Sequence, residues 1–160
     1  MHNLANLYRY GWGTEQDYAK ALEWFQKAAD LGIPGSLTSI GVMYHFGMGV
    51  EKDYEKALEY YQQAADLGDI YGMNNIAWIN IWDDYPNHDY AKAVEYYTLA
   101  AKSGLPNALF GLGECYYAGK GVEKDLEKAA EYYREAMEAG YEPEEGAEQE
   151  HVKEVLGTEG

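Results

Sequence analysis

Residues 44–68 read YHFGMGVEKDYEKALEYYQQAADLG. Moved back 36 places, the stretch lies on residues 8–32, YRYGWGTEQDYAKALEWFQKAADLG, and 16 of the 25 positions are identical. Moved forward 36 places, Asp53, Ala57, Tyr60, Tyr61, Ala64, Ala65 and Gly68 fall on Asp89, Ala93, Tyr96, Tyr97, Ala100, Ala101 and Gly104. A further 36 places on, the frame returns as Tyr116, Gly119, Gly121, Val122, Asp125, Lys128, Ala129, Tyr132, Tyr133, Ala136 and Gly140. A fixed period of this size marks a stacked array of supersecondary units, each too small to bury its own apolar face.

Each unit reads as two helices. In the second, Leu37, Ile40, Gly41 and Tyr44 recur at helical spacing and predict helix A over 36–46. Gly47 and Gly49 then break it, because glycine accepts the left-handed backbone of a tight helix exit. Asp53 stands at the N-cap of helix B, predicted over 54–67, with its carboxylate facing free backbone N–H groups. On helix B the packed face is Ala57, Tyr60, Tyr61, Ala64 and Ala65. The alanines permit close approach, and the tyrosines fill the wedge. The third unit departs at its turn: Asn80 replaces the tyrosine, and Asp83 and Tyr85 replace the two glycines. The length is kept, so the stack is expected to continue through a different loop.

The expected organisation is therefore an all-α array of about four helix-turn-helix units over 1–33, 34–69, 70–105 and 106–140. Residues 141–160 carry seven glutamates against one lysine, Lys153. Val152 and Leu156 are spaced for a single contact stripe, so this segment is expected to be a polar capping helix with a frayed end.

The pattern Leu/Ile-Gly-x-x-Tyr-x-x-Gly-x-Gly-Val-x-x-Asp-x-x-Lys-Ala, followed by paired aromatics, Ala-Ala and Gly, resembles the Sel-one-like repeat (SLR) family, related to the tetratricopeptide repeats. It is carried here by residues 40–68 and 112–140. The resemblance implies an α/α right-handed superhelical solenoid with period 36. It also implies an adaptor that holds other proteins on its concave side, in the bacterial cytoplasm or periplasm. A cysteine-rich branch of the family has been linked to β-lactam binding or hydrolysis and carries a disulfide in each repeat. This chain has one cysteine, Cys115, so that branch does not transfer.

By the same analogy helix A lines the groove, and the positions between its frame residues face a partner. In the first unit these are Asn6, Arg9 and Tyr10, and in the second Thr38, Val42, His45 and Phe46. The third supplies Asn74, Trp78, Ile81 and Trp82, and the fourth Asn107, Phe110, Glu114 and Tyr117. Trp78 and Trp82, four residues apart, share one helical face. An aromatic stripe on a face expected to be wet points to a binding patch for a protein or peptide.

Composition narrows the other classes. A net charge of −16 disfavours nucleic acid and anionic lipid, both of which reward clustered Lys and Arg. No apolar run is long enough to span a membrane, and no signal peptide is visible at the start of the chain. One cysteine forms no internal disulfide. The four histidines are too scattered for a zinc site, and the loop 83–89 lacks calcium-loop spacing. No phosphate loop, catalytic triad or dinucleotide fingerprint occurs. The expected protein is a non-enzymatic scaffold without cofactor or metal, acting as a monomer. The alternatives are a receptor or hydrolase for a small cell-wall-derived ligand, and a structural repeat that self-associates through open stack ends.

Overall fold

The computed structural model describes residues 1–81 and 84–157. The described residues contain nine helices and no strand: α1 (His2–Tyr10), α2 (Tyr18–Asp30), α3 (Pro34–Phe46), α4 (Tyr54–Asp66), α5 (Ile70–Ile81), α6 (Tyr90–Ala101), α7 (Pro106–Ala118), α8 (Leu126–Glu138) and α9 (Ala147–Leu156). The chain divides into two compact units, Met1–Ile76 and Ala77–Gly160.

Local chemistry sets each boundary. Asp17, Asp53, Asp89 and Asp125 precede α2, α4, α6 and α8. Each carboxylate accepts the backbone N–H three residues on, from Lys20, Lys56, Lys92 and Lys128, at 2.9–3.0 Å. Such a cap is worth about 1 kcal/mol. The A helices α3 and α7 open on Pro34 and Pro106, two residues earlier in α3 than the apolar spacing suggests. The first helical residue needs no N–H partner, so proline fits there. The exits at Gly47 and Gly119 are left-handed, with φ of 67° and 68°.

The hairpin turn is closed by one recurring bond. The capping aspartate's own N–H donates to the carbonyl of the helix-A tyrosine: Asp17 to Tyr8 at 2.8 Å, Asp53 to Tyr44 at 2.9 Å and Asp125 to Tyr116 at 3.0 Å. In the third repeat Asn80 stands at the tyrosine position. Its side-chain Oδ1 accepts the Asp89 N–H at 3.0 Å. The amide oxygen thus does there what a backbone carbonyl does elsewhere. Tyr85 of the same loop is buried, with its ring edge-on to His88.

The units are built alike. In the first, α1 packs on α2, α2 on α3 and α3 on α4. Its core gathers Ala5, Ala21, Phe25, Ile40 and Met43. In the second, α6 packs on α7, α7 on α8 and α8 on α9. Leu109, Phe110, Ala129, Tyr133 and Ala136 form the core there, and Val152, Val155 and Leu156 of α9 pack against it. The fully buried tyrosines lie flush on glycine. A Cβ at Gly41 would sit 2.6 Å from the Tyr61 ring, and one at Gly113 would sit 2.5 Å from Tyr133.

Two glycine substitutions should therefore move stability in opposite directions. Gly113→Ala forces a methyl group into the Tyr133 ring and should cost about 1–3 kcal/mol. At Gly35, inside α3, the nearest heavy atom to an added Cβ is 3.8 Å away. Gly35→Ala should raise stability by up to about 1 kcal/mol through helix propensity. Urea denaturation followed by circular dichroism reads both. Asn80→Ala, which removes the buried side-chain acceptor of the Asp89 N–H, should cost about 0.5–1.5 kcal/mol in the same assay.

Candidate functional site

In unit Met1–Ile76 the helix-A positions make local pairs. The Arg9 guanidinium lies 5.0 Å from the Tyr10 ring centroid. Tyr10 in turn stacks on Trp12 at 4.6 Å, and both rings are exposed. His45, expected in the groove, is instead 3% exposed. Its Nδ1 lies 3.3 Å from the Tyr61 hydroxyl, and its ring is flanked by Tyr54 and Phe46. Phe46 is the outer member of that stack and is 60% exposed. Val42 is half-buried. Thr38 is buried, and its hydroxyl donates to Asp69. The Nε of Arg9 and the Oδ1 of Asn74 are buried with no hydrogen-bond partner among the described residues.

In unit Ala77–Gly160 Trp78, Asn107, Phe110 and Glu114 come together, whereas Ile81 and Tyr117 stand apart from them. A pocket of ≈ 300 Å³ is lined by Trp78, Tyr97, Asn107, Phe110, Gly111, Glu114, Tyr141, Ala147, Glu148 and His151. Trp78 is 42% exposed. Phe110 and Glu114 are almost wholly covered, yet both line the cavity. Phe110 stacks on Tyr141 at 4.3 Å and leans on Tyr133 at 5.1 Å. Ile81, one repeat after His45, is buried like it and presents no surface. Trp82 and Asp83 lie outside the described residues.

Glu114 has a defined set of donors. The Tyr133 hydroxyl donates to its Oε1 at 2.5 Å, and His151 Nδ1 lies 3.0 Å from both oxygens. Burial and this carboxylate together push the Tyr133 phenol well above the usual tyrosine range. Tyr117 stacks on the His151 ring at 4.2 Å. Its hydroxyl donates to Glu154, which raises the phenol's pKa. Tyr141 donates to Glu148 at 2.9 Å, and its phenol is raised by burial first and by that bond second.

The sequence reading missed Tyr141, Glu148, His151 and Glu154. A signal for them was present. His151 lies 37 residues after Glu114, and Glu154 lies 37 after Tyr117. A helix in the next helix-A register must face the helix A before it, so α9 supplies part of the site.

These features define an all-α protein of helix-turn-helix repeats with an aromatic pocket between A-type helices of its second unit. A family model for the Sel1 repeat matches residues 1–33, 35–69, 71–105 and 106–141, and the chain belongs to the Sel1 repeat family, whose members are generally protein–protein interaction scaffolds. Among solved structures it is similar to a Sel1 repeat protein from Oxalobacter formigenes: 29% identity, TM-score 0.79, covering 97% of this chain and 69% of that one. It is also similar to c5321, a protective antigen of uropathogenic Escherichia coli with an SLR fold: 33% identity, TM-score 0.83, covering 96% of this chain and 32% of that one. A third, the immunity protein Pa5087 from Pseudomonas aeruginosa, shares 31% identity at a TM-score of 0.62, covering 88% of this chain and 52% of that one. The chain thus spans about a third of the E. coli protein and half of the P. aeruginosa one. No curated protein matches it. Among the described residues no helix is long and apolar enough to cross a membrane.

Cys115 lies beside Glu114 on α7 and is buried and unpaired. Burial pushes its thiol up to about 12, partly opposed by Lys120. The thiolate is the reactive form. Maleimide labelling at pH 8 should therefore be at least about a hundredfold slower in the native protein than in urea. Equal rates would place Cys115 at the surface.

Proposed function

We propose that this chain is a non-enzymatic scaffold that holds an extended or helical segment of another protein against aromatic side chains of its A helices. The observation that carries this is Trp78, a large ring 42% exposed at an apolar pocket backed by Phe110 and Tyr141. Exposed rings beside fitted pockets are what anchor protein interfaces. Phe46 and the Tyr10–Trp12 pair offer further exposed aromatic area in the other unit. In this reading α9 caps the array: Val152, Val155 and Leu156 cover the last core, while Glu150 and Glu154 are exposed.

The pocket also favours a second reading, a receptor or hydrolase for a small ligand. The structure puts two carboxylates, Glu114 and Glu148, on one cavity, where the sequence offered no partner for Glu114. Tyr133 and His151 hold Glu114 in place by hydrogen bonds, an arrangement suited to charge recognition.

The test is partner capture by wild type and by Trp78→Ala/Trp82→Ala, both first checked for helicity. The double variant should lose at least about tenfold in affinity for captured proteins, as expected for truncating an aromatic anchor. Capture unchanged by the substitutions removes the aromatic surface from the interface. Unfolding of the double variant would show these rings to be core, and Trp78→Ala alone then decides.

A further inference from the structure

The pocket of unit Ala77–Gly160 has an aromatic wall, formed by Trp78, Phe110 and Tyr141, and it contains two carboxylates. Among the described residues no lysine or arginine lines it. Glu114 is 3% exposed, so its charge sits away from water. A buried carboxylate is costly unless it is hydrogen-bonded and paired. Tyr133 and His151 supply the hydrogen bonds, and the two carboxylates outnumber the single imidazole among the lining residues. Glu148 has spare capacity as well: the Tyr141 hydroxyl and the Glu144 N–H both donate to its Oε2. At ≈ 300 Å³ the cavity is at the small end of ligand pockets, which run roughly 300–1,000 Å³. That is room for one long side chain.

The geometry points to a pocket for a single arginine side chain carried on the partner's segment. The guanidinium would lie against the Trp78, Phe110 and Tyr141 wall and donate to Glu114 and Glu148. This specifies the occupant of the site and rests on the scaffold reading. Arginine suits it better than lysine, because the planar guanidinium is weakly hydrated, stacks on aromatic faces and donates to two carboxylates at once. A net charge of −16 favours the approach of a basic segment over any other.

The probe is N-acetyl-arginine-N-methylamide, titrated into the 15N-labelled chain and followed by NMR. Saturable shifts should appear at the Trp78 indole, Asn107, Gly111 and Tyr141. The citrulline analogue, of the same shape without the charge, should bind at least about tenfold more weakly. Glu148→Gln, at a half-buried position, and Trp78→Ala, at an exposed one, should each weaken the arginine probe severalfold. Equal binding of citrulline, shifts centred elsewhere, or no saturable shift would overturn the inference. Tighter binding of free arginine than of the capped probe would make the ligand an amino acid and not a protein segment. The titration needs no partner. If it fails while Trp78-dependent capture persists, only the arginine pocket is lost. If it succeeds while no capture depends on Trp78, the pocket stands and the scaffold reading falls.

Discussion

The second and fourth repeats depend on how closely a tyrosine of helix B approaches the backbone of a helix A. Tyr61 lies on Gly41 and Tyr133 on Gly113, with no room for a methyl group between them. Tyr97 meets Gly111 in the same way, from the B helix of the preceding repeat. A ring flush against a helix buries a large apolar face and fixes the distance between helices. The remaining features of the hairpin follow from that distance. The turn must be short enough for the capping aspartate to reach the helix-A carbonyl, and the glycine exit makes it so.

A shared frame leaves room for local substitution. Where Asn80 replaces tyrosine, the aspartate N–H still finds an oxygen, now on a side chain. The stacked pairs Tyr44–Tyr60 and Tyr116–Tyr132 have no counterpart at Asn80, since an amide offers no ring. The seam is thus rebuilt from hydrogen bonding in one repeat and from stacking in two others.

The fold was legible because its determinants are local. The Asp caps, the glycine exits and the alternation of alanine with tyrosine each act within one hairpin, and repetition made them visible. The candidate site was legible only in part. Register shows which side of helix A a residue occupies, but not what covers it. Trp78 kept its exposure, whereas His45 was enclosed by Tyr54 and Tyr61, and Glu114 by Tyr133 and His151. The covering of Glu114 depends on α9, whose glutamate-rich sequence breaks the repeat frame.

The basic residues have a consequence beyond their own helices. Lys20, Lys56 and Lys128 lie 5.1–5.3 Å from the ring centroids of Tyr8, Tyr44 and Tyr116, and each also sits within 4.0 Å of its capping aspartate. With Arg9, Lys27, Lys52, Lys92, Lys120 and Lys124, at least nine of the 12 cationic side chains rest over aromatic rings. Positive charge is tethered along the helix seams, and the remaining carboxylates set the far field. At physiological salt that field reaches about 8 Å from the surface. An approaching molecule meets this net negative field before it touches a ring, and the field opposes anions and attracts cations.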